Sequence, residues 1–562
     1  MSDTVIKGGV VVDGTGRPGF QSDVKVTDGH IAEIGQGLHA TTEIDASGLV
    51  VAPGFLDLHT HYDAQVFWDP LFTSSCWHGV TTVVAGNCGF TLAPARDEHH
   101  DSIIATLQAV EDMSLATLRA GIPWGFNSFG EYLDLIERSG VLLNFGCYVG
   151  HSTVRLFVMG DESFERAATE DELARMRQVV VESIESGAVG FSSSFAGAHF
   201  VNGRPVPSRQ ADRHEMVTLA SALTDLDRGV VVYAQGRPLS YRDAYEMQRE
   251  VGRPWMWTPL YTNLPEADYR DALAVHAEGR AAGADVWVQA TCRPLAVQIT
   301  LANPYMFRPS PSFRELEGRP EEERLSCFND SSWRSTAFSE IDTLVRPHVN
   351  WDHVSVSESV VHAHLIGRSV GELGRERGQS PLDVYCELSV AENLETRFDV
   401  HLANYDEESV ATILKQPGVV LGASDAGAHV AQLCDANMPT DLLGNWVRER
   451  GVLSLERAVQ MLSSDIARLF GFSDRGQLEP GRAADIVVFD PKTVAPGPLR
   501  RVRDMPGDEE RLISDEPEGM AHVLVNGQPI VRDGRLVDSA LRALPGQVLR
   551  STPSASQASS PS

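Results

Sequence analysis

Short apolar runs that are typical of buried strands alternate with longer stretches of helical periodicity through most of this chain. Alternation of this kind favours a parallel sheet covered by helices over an antiparallel sheet. The buried strands that we expect are the runs LVVAPGFLDL, TTVVA, LLNFGCYV, AVGFSS, GVVVYA, DVWVQA, DHVSVS and GVVLGAS. Eight parallel strands joined by helices predict an α/β protein built on a (β/α)8 TIM barrel.

The two ends of the chain have a different pattern, in which strand-like runs are broken by Gly and Asn-Gly turns. We expect residues 1–51 and 477–545 to meet in one small β-sandwich domain, which leaves 52–476 for the barrel. Residues 301–350 are rich in Pro and charge, and we interpret them as an insertion that serves either as a lid or as plain surface. The low-complexity tail, 546–562, is expected to be disordered.

The charge balance excludes some classes of partner. With 77 acidic and 47 basic side chains the net charge is −30, which disfavours nucleic acid and anionic membranes. A small-molecule substrate is the better interpretation, although solubility alone also explains such a charge. No window approaches the ~18 uncharged apolar residues of a membrane span, and no signal-peptide pattern opens the sequence, so we expect a cytoplasmic protein. The seven scattered cysteines do not resemble a disulfide framework.

In a barrel of this type the working residues follow the C-terminal ends of the strands. The polar residues there are, in predicted strand order, His59 and His61, Asn87 and Cys88, His151, Ser192, Ser194 and His199, Gln235 and Arg237, Gln289, Cys292 and Arg293, Ser355 and Ser357, and Asp425 and His429. His59 and His61 are two apart, so on a strand both imidazoles reach one ion at ~2.0–2.1 Å. Two ordinary histidines at a strand end give the same spacing. Asp425 suits a metal ligand and proton acceptor, although an Asp after a strand of small residues is by itself more often an N-cap or turn residue.

Several of these segments together carry a family resemblance. The runs APGFLDLHTH, TTVVAGNCGFTLAP, GHSTVRLFVMG, GAVGFSSSF, LGASDAGAH and RLFGFSDRGQLEPGRAADIVVFD resemble the amidohydrolase superfamily, and within it the D-aminoacylase (N-acyl-D-amino-acid deacylase) branch. The likeness spans residue 1 to about 540 and is loose between about 225 and 420. It implies a metal centre built from His59, His61, Cys88 and Asp425.

Lysine, which often bridges the metal ions of such a centre, is scarce in the expected barrel. Many amidohydrolases bridge two ions with a carboxylated lysine, but the only lysine between residues 26 and 491 is Lys415, in a helix-like run before the last strand. The thiolate of Cys88 is an anionic ligand that suits zinc and can take that place. Packing in the core is the alternative role for this cysteine.

The second metal position of the family departs from its pattern. The resemblance implies histidines after strands five and six, but Gln235 stands after GVVVYA and no histidine lies in VWVQATCRPL. An amide oxygen is a poor zinc ligand beside imidazole. We therefore predict one zinc ion, with a second doubtful, and regard Cys292 as a weaker candidate ligand.

The remaining candidates concern substrate binding. Arg237 and Arg293 each follow a strand end, and a guanidinium is the natural partner of a substrate carboxylate, although structural arginines are common in this chain. Gln235 and His199 are further candidate contacts. His151 is a candidate catalytic residue that polarises a carbonyl or hydrogen-bonds a leaving group; the alternative role is orienting a neighbouring loop. The second His-x-His pair, His362 and His364, follows DHVSVS, and we interpret it as structural.

These residues predict a hydrolase acting on carbon–nitrogen bonds other than peptide bonds. A metal-activated water attacks an amide carbonyl, and Asp425 takes the proton and returns it to the leaving nitrogen. The resemblance implies N-acyl-D-amino acids as substrates and a homo-oligomer, dimer or tetramer. Because the second metal position is altered, a cyclic amide or imide is an alternative substrate. A non-catalytic scaffold with the same fold is the alternative of another class.

Overall fold

The computed structural model describes residues 3–263, 268–307, 309–344 and 349–552. Strands from both ends of the chain form one nine-stranded sheet. Its N-terminal strands are β1 (Thr4–Val11), β2 (Phe20–Thr27), β3 (His30–Gly35), β4 (Thr42–Asp45) and β5 (Val50–Pro53). Strand β5 pairs in parallel with β1 and antiparallel with a strand from the C-terminal part. This pairing joins the two ends of the chain beside the start of the central strands.

The next ten strands belong mostly to the parallel layer. They are β6 (Phe55–Asp57), β7 (Val80–Ala85), β8 (Asn144–Cys147), β9 (Val149–Gly150), β10 (Gly190–Ser194), β11 (Phe200–Val201), β12 (Arg204–Pro205), β13 (Val230–Ala234), β14 (Trp255–Thr258) and β15 (Val286–Ala290). β6, β7 and β8 form a three-stranded parallel sheet, while β9, β10, β13, β14 and β15 belong to a six-stranded one. β11 and β12 form a short antiparallel hairpin.

Two of the expected barrel strands require correction. The run DHVSVS is β17 (Val354–Glu358), which lies with β16 (Leu295–Ile299) and β18 (Arg397–Ala403) in a separate antiparallel sheet. Its place in the parallel layer is taken by β14, which the sequence analysis missed. The last strand of the layer, β19 (Val419–Leu421), pairs with β15. Strand six is therefore β14, and DVWVQA is strand seven.

The two parallel sheets adjoin at both edges. Only Tyr148 separates β8 from β9, and at the other edge Thr60 forms a parallel bridge with Ala426, just after β19. One apolar cluster receives a residue from beside or within every one of these strands: Leu56, Val84, Tyr148, Val189, Val232, Met256, Trp287 and Val420. The strands thus share one interior.

Helices cover the outside of the parallel layer, and further helices form part of the insertion. The longer ones are α1 (His100–Glu111), α2 (Leu115–Gly121), α3 (Phe129–Ser139), α4 (His151–Met159), α5 (Glu170–Glu185), α6 (Arg213–Asp225), α7 (Asp243–Val251), α8 (Tyr269–Ala281), α9 (Glu321–Asn329), α10 (Ser331–Leu344), α11 (Val370–Arg377), α12 (Pro381–Val390), α13 (Glu407–Leu414), α14 (Leu455–Leu462) and α15 (Ser464–Phe470). A π-helix spans Leu442–Glu449. A capping box begins α5, in which Thr169 and Glu172 satisfy each other's backbone N–H groups. Within the described residues, no helix is long and apolar enough to cross a membrane.

The insertion is larger and more regular than we expected. Residues 301–350 hold α9 and α10, which pack with β16 to β18 and with α11 and α12 around a separate apolar core. Part of the expected span, residue 308 and residues 345–348, lies outside the described residues. A unit with its own core is more than an irregular lid.

The chain ends in β20 (Ile486–Phe489), β21 (Leu499–Met505), β22 (Glu509–Ser514), β23 (Met520–Val525), β24 (Gln528–Arg532) and β25 (Arg535–Leu536). The hairpin β21–β22 is a separate two-stranded sheet. The N–H of Leu512 in this hairpin donates to Val430 O, after β19. The expected disorder from residue 546 is wrong for 546–552, because Phe145 N–H donates to Gln547 O and Leu549 N–H donates to Phe145 O. Residues 553–562 lie outside the described residues.

Candidate metal centre

Four of the predicted ligands meet at the C-terminal ends of neighbouring parallel strands. His59 and His61 follow β6, Cys88 follows β7, and Asp425 follows β19. Cys88 and Asp425 both have left-handed backbone conformations, with φ of 55° and 47°. Such conformations are uncommon for residues other than glycine and turn the chain sharply at a strand end. The sharp turns bring side chains from three strands to one point.

The distances between the ligand atoms fit one small cation. His59 Nε2 lies 3.1 Å from Asp425 Oδ1 and 3.8 Å from Cys88 Sγ. His61 Nε2 lies 3.7 Å from Asp425 Oδ1. One ligand atom each of His59, His61 and Cys88 lies within 4.8 Å of the others. Tetrahedral zinc with ligands at ~2.0–2.3 Å places them about 3.3–3.8 Å apart, so small rotations suffice.

A second layer of side chains fixes the two imidazoles. His59 Nδ1 donates to Gln289 Oε1 at 2.6 Å, which directs Nε2 toward Cys88 and Asp425. His61 Nδ1 lies 3.4 Å from Glu111 Oε1, and both atoms are buried without a hydrogen-bond partner among the described residues. Glu111, at the end of α1, was missed by the sequence analysis because nothing in its neighbourhood distinguishes it from other acidic helix residues.

The electrostatics favour a positive charge at this point. Burial acts to raise the pKa of Asp425, but the charges and hydrogen bonds of His59 and His61 hold it well below its ordinary value. Burial likewise opposes protonation of His59, yet Asp425 and Cys88 raise its pKa to about 10. Protons on the imidazoles here stand in for a cation, because metal binding displaces ligand protons. Two imidazoles, a thiol and a carboxylate fit zinc.

Comparison with known proteins identifies the family. The model of the amidohydrolase family matches residues 42–256 and 335–531, well over half of the chain. This chain belongs to the amidohydrolase family. The expected family and the expected enzyme class, a hydrolase acting on carbon–nitrogen bonds, are thereby confirmed.

The relatives lie in the predicted D-aminoacylase branch. A D-aminoacylase of Alcaligenes xylosoxydans xylosoxydans is 30% identical over 94% of both chains. An N-acyl-D-glutamate deacylase of the same organism is 28% identical, over 97% of this chain and 98% of the relative. Among solved structures, the Bordetella bronchiseptica N-acyl-D-glutamate deacylase, complexed with zinc and a phosphonate mimic of the tetrahedral intermediate, has a TM-score of 0.68 at 28% identity, covering 98% and 99% of the two chains.

The positions after strands five and six, where the resemblance implies histidines, hold no histidine in this amidohydrolase. Gln235 follows β13, and its backbone N–H donates to Thr258 O at 3.0 Å. The corrected strand six, β14, is followed by Pro259, which offers no side-chain ligand. Cys292 does not join the ligand cluster either, because its buried thiol lies 3.6 Å from Asp441 Oδ2.

Two polar residues of the amidohydrolase remain uncharged near the ligands. His199 is hydrogen-bonded to Ser194 Oγ at 2.7 Å, and burial lowers its pKa to about 3. Burial raises the pKa of Tyr261 well above its ordinary value, and the nearby Asp425 and Cys88 add to this effect. Tyr261, which follows β14, escaped the sequence analysis together with that strand.

His151 is placed differently from our expectation. Its Nε2 donates to Glu215 Oε1 at 2.8 Å, and its Nδ1 accepts from Ser193 Oγ at 2.8 Å. Glu215 also binds Arg155, and the whole group is buried. With both ring nitrogens engaged inside the protein, this arrangement gives His151 no nitrogen to polarise a carbonyl. The other expected role, orienting the chain after β9, agrees with these contacts.

The candidate arginines differ in their surroundings. Arg293 Nε donates to Asp435 Oδ1 at 2.6 Å and Nη1 donates to Asp441 Oδ1 at 3.2 Å, so two carboxylates of the protein already occupy its guanidinium. Arg237 is exposed past the end of β13. His362 precedes a short 3₁₀ helix, Ala363–Leu365, that contains His364 and follows β17.

Proposed function

We propose that this amidohydrolase cleaves the amide bond of N-acyl-D-amino acids with one zinc ion held by His59, His61, Cys88 and Asp425. The observation that carries the proposal is the convergence of these four side chains at one end of the parallel strands. The relatives named as D-aminoacylase and N-acyl-D-glutamate deacylase support the substrate class. Gln235 and Pro259 at the second position support a single ion.

The residues divide the chemistry between them. A bound zinc ion supplies Lewis-acid polarisation of the carbonyl and activation of water. Asp425, whose pKa is held low, is ionised and accepts the proton at a carboxylate oxygen before returning it to the leaving nitrogen. Gln289 and Glu111 orient His59 and His61.

We infer the following roles around the centre. Neutral His199 and Gln235 contact the acyl or amide part of the substrate, and exposed Arg237 is the guanidinium free to approach a substrate carboxylate. Arg293 binds Asp435 and Asp441 and so connects the end of β15 to the segment after β19. His151 is a positioning residue.

We also propose that the two parallel sheets form one eight-stranded barrel. The short gap at Tyr148, the Thr60–Ala426 bridge and the shared apolar cluster support this closure. The cytoplasmic location and the homo-oligomeric state, dimer or tetramer, stay predictions.

The test combines metal analysis with a substrate panel. Purified protein is analysed for metal content, and amine release is measured from N-acetyl-D-amino acids, their L-isomers and a hydantoin. One zinc per chain and selective release from D-isomers are expected. Turnover of the hydantoin alone would replace the substrate with a cyclic amide. Absence of both stoichiometric metal and turnover would favour the scaffold alternative.

Asp425→Asn tests the proton step separately. The variant keeps an oxygen at the centre but not the proton acceptor, so kcat should fall by about 10²- to 10⁴-fold. Unchanged kcat with unchanged metal content would remove Asp425 from this role.

A further inference from the structure

A second cavity lies at the opposite end of the parallel strands from the metal centre. Its volume is about 440 Å³, within reach of the range of small-molecule sites. Arg228 and Arg253 line it just before β13 and β14, and Arg468 and Phe470 line it at the end of α15. Because catalytic groups of parallel barrels lie at the C-terminal ends of strands, this cavity is separate from the reaction.

The walls of this cavity concentrate positive charge in a strongly acidic protein. Five arginines line it: Arg228, Arg253, Arg468, Arg475 and Arg482. Among the described residues, no aspartate or glutamate lines it, whereas the whole chain carries a net charge of −30. A cavity wall of guanidinium groups selects anions with several oxygens.

Within the part of the chain that the structure describes, the charges of two of these guanidiniums are not balanced one to one by carboxylates. Arg228 contacts carbonyl oxygens, with Nη1 3.2 Å from Ser551 O and Nε 3.5 Å from Leu226 O. Arg468 pairs with Asp465 at 3.0 Å, but Asp465 also pairs with Arg457 at 2.5 Å. The Arg468 side chain is 65% exposed and that of Asp465 only 4%. The solvent-exposed side of the Arg468–Asp465 pair is therefore positively charged.

An apolar wall adjoins the arginines. The rings of Phe470 and Phe472 stack at 5.4 Å, and the Phe472 N–H donates to Ala467 O at the end of α15. Behind the cavity lining, Arg468 and Arg280 both lie over the ring of the buried Trp287, at 5.4 Å and 5.2 Å. A cavity lined by both guanidiniums and phenylalanine rings suits an anion that also has an apolar part.

We propose that this cavity binds a small phosphate-bearing molecule and is a site distinct from the metal centre. The phosphate oxygens accept from Arg228 and Arg468, whose charges are the least balanced, while Arg253, Arg475 and Arg482 supply the surrounding field. Occupancy stabilises the N-terminal ends of β13 and β14.

The test measures binding of two probes to the full-length protein by calorimetry and by the shift in Tm. Inorganic pyrophosphate offers the phosphates alone, and adenosine diphosphate adds a flat ring system. Sodium chloride at matched ionic strength controls for screening. Both probes should bind and raise Tm. Equal affinities would indicate a phosphate site alone, and tighter binding of the nucleotide would indicate that the aromatic wall takes part.

Variants locate the binding. Arg468→Gln and Arg228→Gln should each weaken binding about tenfold or more. Arg17, which is 75% exposed in the turn between β1 and β2, is the control, and Arg17→Gln should leave binding unchanged. Arg228 also anchors Ser551 O, so Arg468→Gln is the decisive variant if Arg228→Gln folds poorly. No binding of either probe by the wild type, or equal binding by wild type and Arg468→Gln, would overturn the proposal.

Discussion

At the scale of single residues, the orientation of the candidate ligands depends on residues outside the ligand set. Gln289 holds the ring of His59 through a buried 2.6 Å hydrogen bond from Nδ1. Without this acceptor the imidazole loses both its tautomer and its orientation, so its Nε2 is presented to the metal for a smaller fraction of the time.

We therefore expect Gln289→Leu to weaken zinc binding by about 10- to 100-fold while the protein stays folded. Competition with a chelator of known affinity measures the change. Gln235→Leu is the matched control, because Gln235 also follows a parallel strand but does not contact His59 or His61 in the structure. Equal zinc affinity in Gln289→Leu and the wild type would show that Gln289 is not needed to orient His59.

The buried group around Glu215 gives the protein a sensitivity to acid. Burial acts to raise the pKa of Glu215, but His151 and Arg155 lower it from an ordinary value near 4.5 to about 2. A carboxyl whose pKa is depressed on folding stabilises the native state above its unfolded pKa. That stabilisation is lost as the pH falls toward about 2.

The expected loss from Glu215 is about 3 kcal/mol of unfolding free energy between roughly pH 5 and pH 2. Urea midpoints measured across this interval test it. In Glu215→Gln the dependence on pH should be shallower by this amount, whereas Glu170→Gln, at an exposed position, should keep the wild-type slope. Identical slopes in all three proteins would contradict the assignment.

At the scale of elements, the sequence pattern correctly predicted β6 and six further strands of the parallel layer. It failed where a run of residues did not show the usual pattern of a parallel strand. β14 is a four-residue run, WMWT, between Pro254 and Pro259. Because prolines flank this short aromatic run, its sequence does not show the pattern of a fully buried strand. DHVSVS alternates buried and half-buried positions, which is the period of an antiparallel strand with one covered face. Its apolar content led to the wrong place in the layer.

The same limits applied to the site. His59, His61, Cys88 and Asp425 lie directly after strands, so strand order and resemblance together predicted their meeting. Glu111 comes from a helix end and was out of reach, because its role depends on the packing of α1 against the segment after β6. Contacts between elements distant in sequence are what periodicity alone does not contain.

The hairpin β21–β22 is the element whose position the sequence least suggested. Arg511 on β22 is buried and binds Asp69 at 2.7 Å and Asp504 at 2.9 Å, which ties the hairpin to the segment after β6. Removing one partner of a buried ion pair leaves the other charge uncompensated.

Arg511→Ala should lower the unfolding free energy by roughly 3–5 kcal/mol. On the same hairpin, the exposed Arg500 pairs with Asp515, and Arg500→Ala should cost at most about 1 kcal/mol. Chemical denaturation of the two variants and the wild type makes the comparison. Similar losses in both variants would mean that Arg511 does not anchor the hairpin.

At the scale of the whole molecule, both ends of the chain are fastened to the central strands. The N-terminal strands share a sheet with β20 and β23 to β25, and the last described segment, 546–552, then crosses the N-terminal side of the parallel layer. Phe145 exchanges backbone hydrogen bonds with this segment, and Ser551 N–H donates to Gly187 O. The segment thus covers N-terminal ends of the parallel strands, on the side that faces away from the metal centre.

Truncation tests this closure directly. A chain ending at Pro545 loses the bonds from Phe145, Leu549 and Ser551, each worth about 1 kcal/mol, so its Tm should fall by about 2–3 °C. A chain ending at Thr552 keeps them and is the matched control. Because the lost contacts lie far from His59 and Asp425, zinc content should be unchanged in both truncated proteins. An unaltered Tm in the shorter chain would show that the segment contributes no stability, and zinc loss there would show that the two ends of the strands are coupled.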